Sequence, residues 1–378
     1  MATAGNLLAT ARYQAARWPL RLRSRPPVTP PRKALILQPC CLGRVMQTTP
    51  LLAALSDAFP DARFDWAISE WALQAVSSNP RITRTIHSGA GDMSDNSREE
   101  MRAFFETVRG EAYDTCFVPS RSSELARVAW EAGIPQRVGI NEAGRGFAHT
   151  VAVSPPAGER QIARLYLSLA AAVGVDESTL AAAEMEFYPT DSDRTAVTRW
   201  LVEDLDWLGD RPLLVLHPGG GENPSETNPN KRWPAQRFAR LTNYLTRTHN
   251  VKVVIVGTAQ DRRLAEAVAG MVSFPVANRA GYLGLGELGA LCELAGLYVG
   301  NDVGSTYVAA ATGCPTLAIY GPTDPGINAP YMVNGRVKTL WRAYEEPFDW
   351  DAGASVEEAS AAAGELLAAQ TLLSGGPS

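Results

Sequence analysis

Three segments of this chain combine backbone freedom, positive charge and a carboxylate in the way an anionic, hydroxyl-bearing ligand requires. In His217-Pro218-Gly219-Gly220-Gly221-Glu222, successive glycines, Gly219 and Gly220 first, let backbone N–H groups come close to a phosphate. Taken alone, such a stretch is more often a turn and nothing else. Next comes Lys231-Arg232-Trp233-Pro234, where Pro234 is placed to open a helix and Lys231 can set its ammonium beside a diphosphate. A solvent-facing lysine is the bland alternative. Trp233 reads as a packing residue that anchors the helix.

In the third segment, Val299 to Tyr307, Asp302 precedes Gly304, Ser305 and Thr306, whose free N–H groups open a helix with its dipole toward an anion. One turn thus offers an anion site and an acceptor for sugar hydroxyls, although an isolated Asp there reads first as a helix N-cap. Tyr320-Gly321-Pro322-Thr323-Asp324-Pro325 follows as a rigid turn that would wall a cleft.

Each segment sits where a strand should end. From Ala34 the chain alternates short apolar runs with amphipathic stretches, the pattern of doubly wound α/β sheets. Strands are predicted at Ala34–Leu37, Phe64–Ile68, Ile82–Ile86 and Thr115–Val118, with helices over Val45–Ala58 and Ser122–Ala132. A more helical stretch from Glu159 to Leu205 leads into a second unit. There, strands are expected at Leu213–Leu216, Val251–Val256, Leu297–Gly300 and Thr316–Tyr320. Helices are expected at Ala235–Thr246, Arg262–Met271, Gly286–Ala295 and Thr306–Thr312. The expected division is a basic extension (1–32), two Rossmann-like domains (33–190 and 191–345) and a helical tail (346–378). Two such sheets put a ligand cleft at the carboxyl ends of their strands.

Composition narrows the function classes. A net charge of -5 over 378 residues argues against a nucleic-acid binder. Cys40, Cys41, Cys116, Cys292 and Cys314 read as reduced, mostly buried thiols, and the four histidines are too dispersed for a zinc site, so neither metal nor cofactor is expected. With no spanning helix or signal peptide in view, the cytoplasm is the default compartment. Residues 12–25 hold Arg12, Arg17, Arg21, Arg23 and Arg25 with Tyr13, Trp18, Leu20 and Leu22 interleaved. They suit a peripheral contact with the inner face of an anionic membrane as well as they suit a solvated extension. An organellar transit peptide is the lesser alternative.

The order and spacing of Lys231-Arg-Trp-Pro, Asp302-Val-Gly304 and Gly321-Pro-Thr-Asp-Pro resemble the bacterial heptosyltransferases of glycosyltransferase family 9. Leu42-Gly43, Thr49-Pro50-Leu-Leu-Ala-Ala-Leu55, Phe59-Pro60-Asp61-Ala62 and Asn79-Pro80 are similar to that family's opening elements, and the resemblance extends over residues 33–342. It implies a GT-B fold, two Rossmann-like domains facing a central cleft. It also implies inverting transfer of a heptosyl group from a nucleotide diphosphate sugar, ADP-heptose by analogy, to an envelope glycan or lipopolysaccharide core. On that analogy Lys231 binds the diphosphate with the backbone at Gly304 and Ser305, Asp302 contacts the sugar, Leu283 lies beside the base and Asp261 accepts from the ribose.

Two positions depart from the family. Its first loop places an aspartate, the acceptor's general base, where this chain has Arg44, and its histidine after Asp-X-Gly is Tyr307 here. An arginine cannot serve as a base. Either another carboxylate does that work, with Glu70 and Asp92 nearest in sequence, or the acceptor is more acidic, or binding has outlived transfer. A non-catalytic sugar-nucleotide binder and a sugar-nucleotide epimerase are the rival readings; the second needs acid–base pairs that the sequence does not display.

Overall fold

The alternation of apolar runs and amphipathic segments is realised as two parallel sheets in the computed structural model, which describes residues 27–221 and 228–374. The basic stretch at 12–25 and Glu222 lie outside the described residues. The chain divides into two units, Met1–Glu184 and Met185–Ser378.

In the first unit, β1 (Lys33–Leu37) is buried from Ala34 onward, as a central parallel strand covered on both faces must be. It leads into two short helices, α1 (Leu42–Met46) and α2 (Thr49–Ala58), where the sequence predicts one. The break has a cause: Pro50 has no N–H to continue the helical ladder, and Thr48 and Thr49 hydroxyls donate to the carbonyls of Arg44 and Met46 instead. Then come β2 (Arg63–Ile68), β3 (Arg84–His87) and α3 (Arg98–Gly110), which opens on a Ser97/Glu100 capping box. β4 (Thr115–Val118), α4 (Ser123–Glu131), β5 (Gln136–Ile140), β6 (Val151–Val153), α5 (Ile162–Ala171) and α6 (Glu177–Ala182) complete the unit. The strand order is β3-β2-β1-β4-β5-β6, so the order reverses between β1 and β4.

The second unit runs α7 (Asp191–Glu203), β7 (Leu213–His217), α8 (Ala235–His249), β8 (Lys252–Ile255), α9 (Arg262–Met271), β9 (Val276–Asn278), α10 (Leu285–Leu294) and β10 (Leu297–Asn301). It closes with α11 (Gly304–Ala311), β11 (Thr316–Ile319), α12 (Pro325–Asn328), β12 (Val337–Leu340) and α13 (Val356–Ser374). Its order, β12-β11-β10-β7-β8-β9, is the same winding, with the reversal between β7 and β10. The Ala-rich tail packs into this unit: Ala359, Ala363, Leu366 and Leu367 share a core with Trp233 and Phe238 of the α8 side.

Cys116, Cys292 and Cys314 are buried thiols. Cys40 and Cys41 are not: adjacent in sequence, with Cα atoms 3.2 Å apart, they are joined in a disulfide, which corrects the expectation of five reduced cysteines. Among the described residues no helix is long and apolar enough to cross a membrane.

Candidate functional site

The reversal between β7 and β10 is where open α/β sheets bind ligands, and it sets His217 opposite Gly300. The glycine turn leaves β7 there. In this turn the amides of Gly220 and Gly221 do not point outward. Asp261, from the turn after β8, reaches beneath it: Oδ1 accepts from Gly220 N at 3.0 Å and Oδ2 from Gly221 N at 3.2 Å. Thr258 adds its N–H at 3.0 Å and its hydroxyl at 2.9 Å, and His217 Nε2 lies 3.3 Å away. A Cβ on residue 219 would sit 2.1 Å from Asp261 Cγ, so glycine is required there by the protein's own carboxylate. Burial alone would raise the Asp261 pKa; the hydrogen bonds from His217 and Thr258 outweigh it and hold the group well below the usual carboxylate range.

Two expectations are corrected by this arrangement. The Gly220 and Gly221 amides are spent inside the protein and cannot cradle a phosphate. Asp261, 2% exposed with both oxygens occupied, braces the turn and does not present itself to a ribose.

Of the other residues expected at the donor, Lys231 and Asp302 are brought together beside the start of α11. Asn301, fully buried at the end of β10, donates to the carbonyls of Pro218 (3.0 Å) and Gly219 (2.9 Å) and accepts from Trp233 N at 3.0 Å. Trp233 is the packing anchor expected, edge-on to Phe238 with its Nε1 donating to Ala354 O at 2.9 Å. This fixes the backbone that carries Lys231, whose Nζ lies 3.4 Å from Asp302 Oδ2.

Asp302 is not an N-cap. Its carboxylate accepts from Tyr307 OH at 3.1 Å and Thr323 Oγ1 at 2.8 Å, while Val303 occupies the cap position without capping. The first-turn N–H groups of α11, those of Gly304 and Ser305, are therefore left without a side-chain cap, the condition for an anion to take them. Burial, with the Asp302 charge adding to it, raises the Tyr307 pKa, so this phenol keeps its proton and donates. Leu283 is half-buried and packs on the core formed by β7, β8 and β10 side chains; its neighbour Tyr282 is exposed, with the Arg262 guanidinium 4.9 Å over the ring.

Arg44 belongs to the first unit, exposed on α1 at the carboxyl end of β1. Of the two alternative bases, Asp92 is engaged in capping Ser94. Glu70 is exposed just beyond β2, the strand beside β1. Beyond β4, Arg121 pairs with Glu142 at 2.9 Å. Arg44 and Arg121 both act on the buried Tyr166 hydroxyl, opposing the rise in its pKa that burial causes.

Sequence reasoning missed the side chains buried beside the start of α11, His217, Tyr298 and Ser305 as a bonded set. No sequence signal announces them, because His217 meets partners 81 and 88 residues away. Among the described residues no three His, Cys, Asp or Glu side chains gather as metal ligands would.

Residues 101–349 match the family model described as glycosyltransferase family 9 (heptosyltransferase). Lipopolysaccharide heptosyltransferase 2 of Escherichia coli (strain K12) is 25% identical over 327 residues, covering 85% of this chain and 91% of its own. Its namesake in Salmonella typhimurium is 27% identical over 319 residues, covering 83% and 90%. Among solved structures, the glycosyl transferase family 9 protein from Veillonella parvula DSM 2008 superposes with a TM-score of 0.76 at 21% identity, over 89% of this chain and 97% of that one. The E. coli ADP-heptose LPS heptosyltransferase II gives 0.70 at 21%, over 89% and 99%. At that identity the likeness is one of fold, the GT-B architecture of two Rossmann-like units.

Proposed function

The chain belongs to glycosyltransferase family 9, and from that premise we propose that it moves a heptosyl group from ADP-heptose to a saccharide of the lipopolysaccharide core, with inversion at the anomeric carbon. The observation that carries this reading is the meeting, at the β7/β10 reversal, of Lys231, Asp302 and the uncapped start of α11. A diphosphate placed there takes the Gly304 and Ser305 N–H groups and the Lys231 ammonium. These same groups stabilise the charge that develops as ADP departs in a single displacement, so no metal need carry it. Asp302, held by Tyr307 and Thr323, keeps its orientation toward a sugar hydroxyl.

On the acceptor side, the exposed Arg44 supplies positive charge at the carboxyl end of β1, suited to an acceptor that carries phosphate or carboxylate. Glu70 is the carboxylate we assign as base. The basic residues at 12–25 would hold the enzyme at the inner face of the membrane where such acceptors lie; unchanged sedimentation with anionic vesicles after deleting residues 1–26 would remove that element.

A binding protein without transfer is the second reading, and the exposed arginine at the family's base position is what favours it. Incubation with ADP-heptose and other nucleotide sugars, following nucleoside diphosphate release with and without a heptose-free core acceptor, separates the two. Acceptor-dependent ADP release is the expected result; tight ADP-heptose binding with no release under any acceptor would establish the non-catalytic reading.

A further inference from the structure

Beneath the anion position lies a set of buried polar groups to which the proposed reaction gives no part. His217 Nδ1 is 2.5 Å from Ser305 Oγ, and its Nε2 is 3.3 Å from Asp261 Oδ2. Tyr298 OH lies 2.9 Å from Ser305 Oγ, 3.3 Å from His217 Nδ1 and 3.4 Å from Thr306 Oγ1. His217 is 3% exposed, Ser305 8%, and Tyr298 is fully buried.

Proton positions follow from the inventory of donors and acceptors. The Asp261 carboxylate only accepts, so the His217 Nε2 that faces it donates, and in the neutral imidazole Nδ1 is then an acceptor. The Ser305 hydroxyl is its nearest donor, and Ser305 Oγ in turn accepts from Tyr298, whose phenol burial keeps protonated. The Ser305 hydroxyl is thereby spent inward. What this residue offers an anion is its backbone N–H.

The two ends of this relay are the two loops at the β7/β10 reversal. Asp261 holds the Gly220 and Gly221 amides, and Ser305 is the second residue of α11. We infer that His217 is a positioning residue for the sugar donor: through Asp261 and Ser305 it fixes the glycine turn and the first amides of α11 relative to each other, so that the diphosphate meets a site already in its bound geometry. The inference rests on the donor reading above. Preorganisation of this kind appears in affinity, because an unbraced site must be ordered at the moment of binding.

The test uses the full chain with ADP as probe in calorimetry, and donor KM and kcat in the transfer assay. His217→Phe breaks both contacts. His217→Asn keeps an amide near Nδ1 and Ser305; His217→Gln keeps one near Nε2 and Asp261; Ser305→Ala removes one end. Expected are an ADP Kd raised about tenfold or more in His217→Phe, with kcat at saturating donor within about threefold of wild type in that variant, an ADP Kd raised about fivefold in Ser305→Ala, and partial recovery in the two amide variants. Because the relay is one unit, His217→Phe/Ser305→Ala should be no worse than His217→Phe alone, whereas two unrelated packing defects would add.

Additive losses, or ADP affinity within twofold of wild type in folded His217→Phe or Ser305→Ala, overturn the inference. If His217→Phe does not fold, Ser305→Ala and His217→Asn carry the same thresholds, their double variant replacing the first. A wild-type protein that binds no ADP overturns the donor reading and this inference with it; one that binds while the variants are unaffected overturns this inference alone.

Discussion

Replacing Lys231 by alanine changes both a contact and a charge balance. At 3.4 Å from Asp302 Oδ2, with the two side chains 18% and 7% exposed, the bare attraction is about 5 kcal/mol at an effective dielectric constant of roughly 20, and desolvation of both ions cancels much of it. Without the ammonium, Asp302 keeps its hydrogen bonds from Tyr307 and Thr323, but the Lys231–Asp302 pair goes from neutral to one net negative charge. An arriving diphosphate then loses a charge-assisted hydrogen bond and gains a repulsion. Affinity for ADP should fall by about 1.5–3 kcal/mol, a factor of roughly 10 to 150. The repulsive part is separable: Lys231→Ala/Asp302→Asn restores neutrality and should regain about tenfold in ADP affinity over Lys231→Ala, while its transfer rate stays low because the sugar contact is gone. Calorimetric titration of ADP into all three proteins measures this. Unchanged affinity in folded Lys231→Ala would take the lysine out of the site, and a double variant no better than the single would refute the charge argument.

Three further outcomes are expected. Arg44→Asp should raise the KM for an anionic acceptor about tenfold and lower activity, by lost attraction and new repulsion together; a rise in activity would mean that the position still calls for a base and that recruitment of the arginine is wrong. Transfer should survive EDTA, since Lys231 and the α11 amides supply the positive charge; abolition by chelation with rescue by a divalent ion would refute this site. His149 is 4% exposed and neither ring nitrogen has a hydrogen-bond partner among the described residues, and burial, with the Arg137 charge adding to it, drives its imidazole down to about 3. The unfolded chain takes up this proton below its ordinary value of 6.5 and the native state refuses it until about 3, so stability is complete above that window and falls as pH drops through it. At pH 5 the cost is about 2 kcal/mol, and His149→Phe should flatten the loss seen in denaturant melts between pH 7.5 and 5; an unchanged slope would show that other groups govern it.

Element type was readable wherever packing imposes a period. Thr115–Val118 and Arg262–Met271 coincide with their predicted limits because each is bounded by turn chemistry and buried on the expected faces. β6 and β9, three residues each, are too short to leave a pattern, and β5 mixes Gln136 and Arg137 into a strand that only its partners reveal. Residue types at the candidate site were equally visible, but their directions were not. Three glycines in a row describe a backbone able to approach something closely, and only the fold determines that the something is Asp261. Lys231 and Asp302 could be picked out because both lie beside strand ends, whereas the His217–Ser305 contact joins positions 88 residues apart and exists only once β7 and β10 are neighbours.

Asn301 has a consequence for how this unit opens. One fully buried amide holds Pro218, Gly219 and Trp233 at once, and through the Trp233 indole the hold extends to Ala354 at the foot of α13. Segments tied through a single side chain cannot fray one at a time, because releasing any of them strands polar groups of the others without partners. In native-state hydrogen exchange the Trp233 amide should therefore open together with its neighbours in α8 as one cooperative unit, at a free energy well above that of surface loops. Loosening the carboxy-terminal helix from Ala354 onward would be felt as a lowered opening energy at the segment carrying Lys231, far from the cut in sequence.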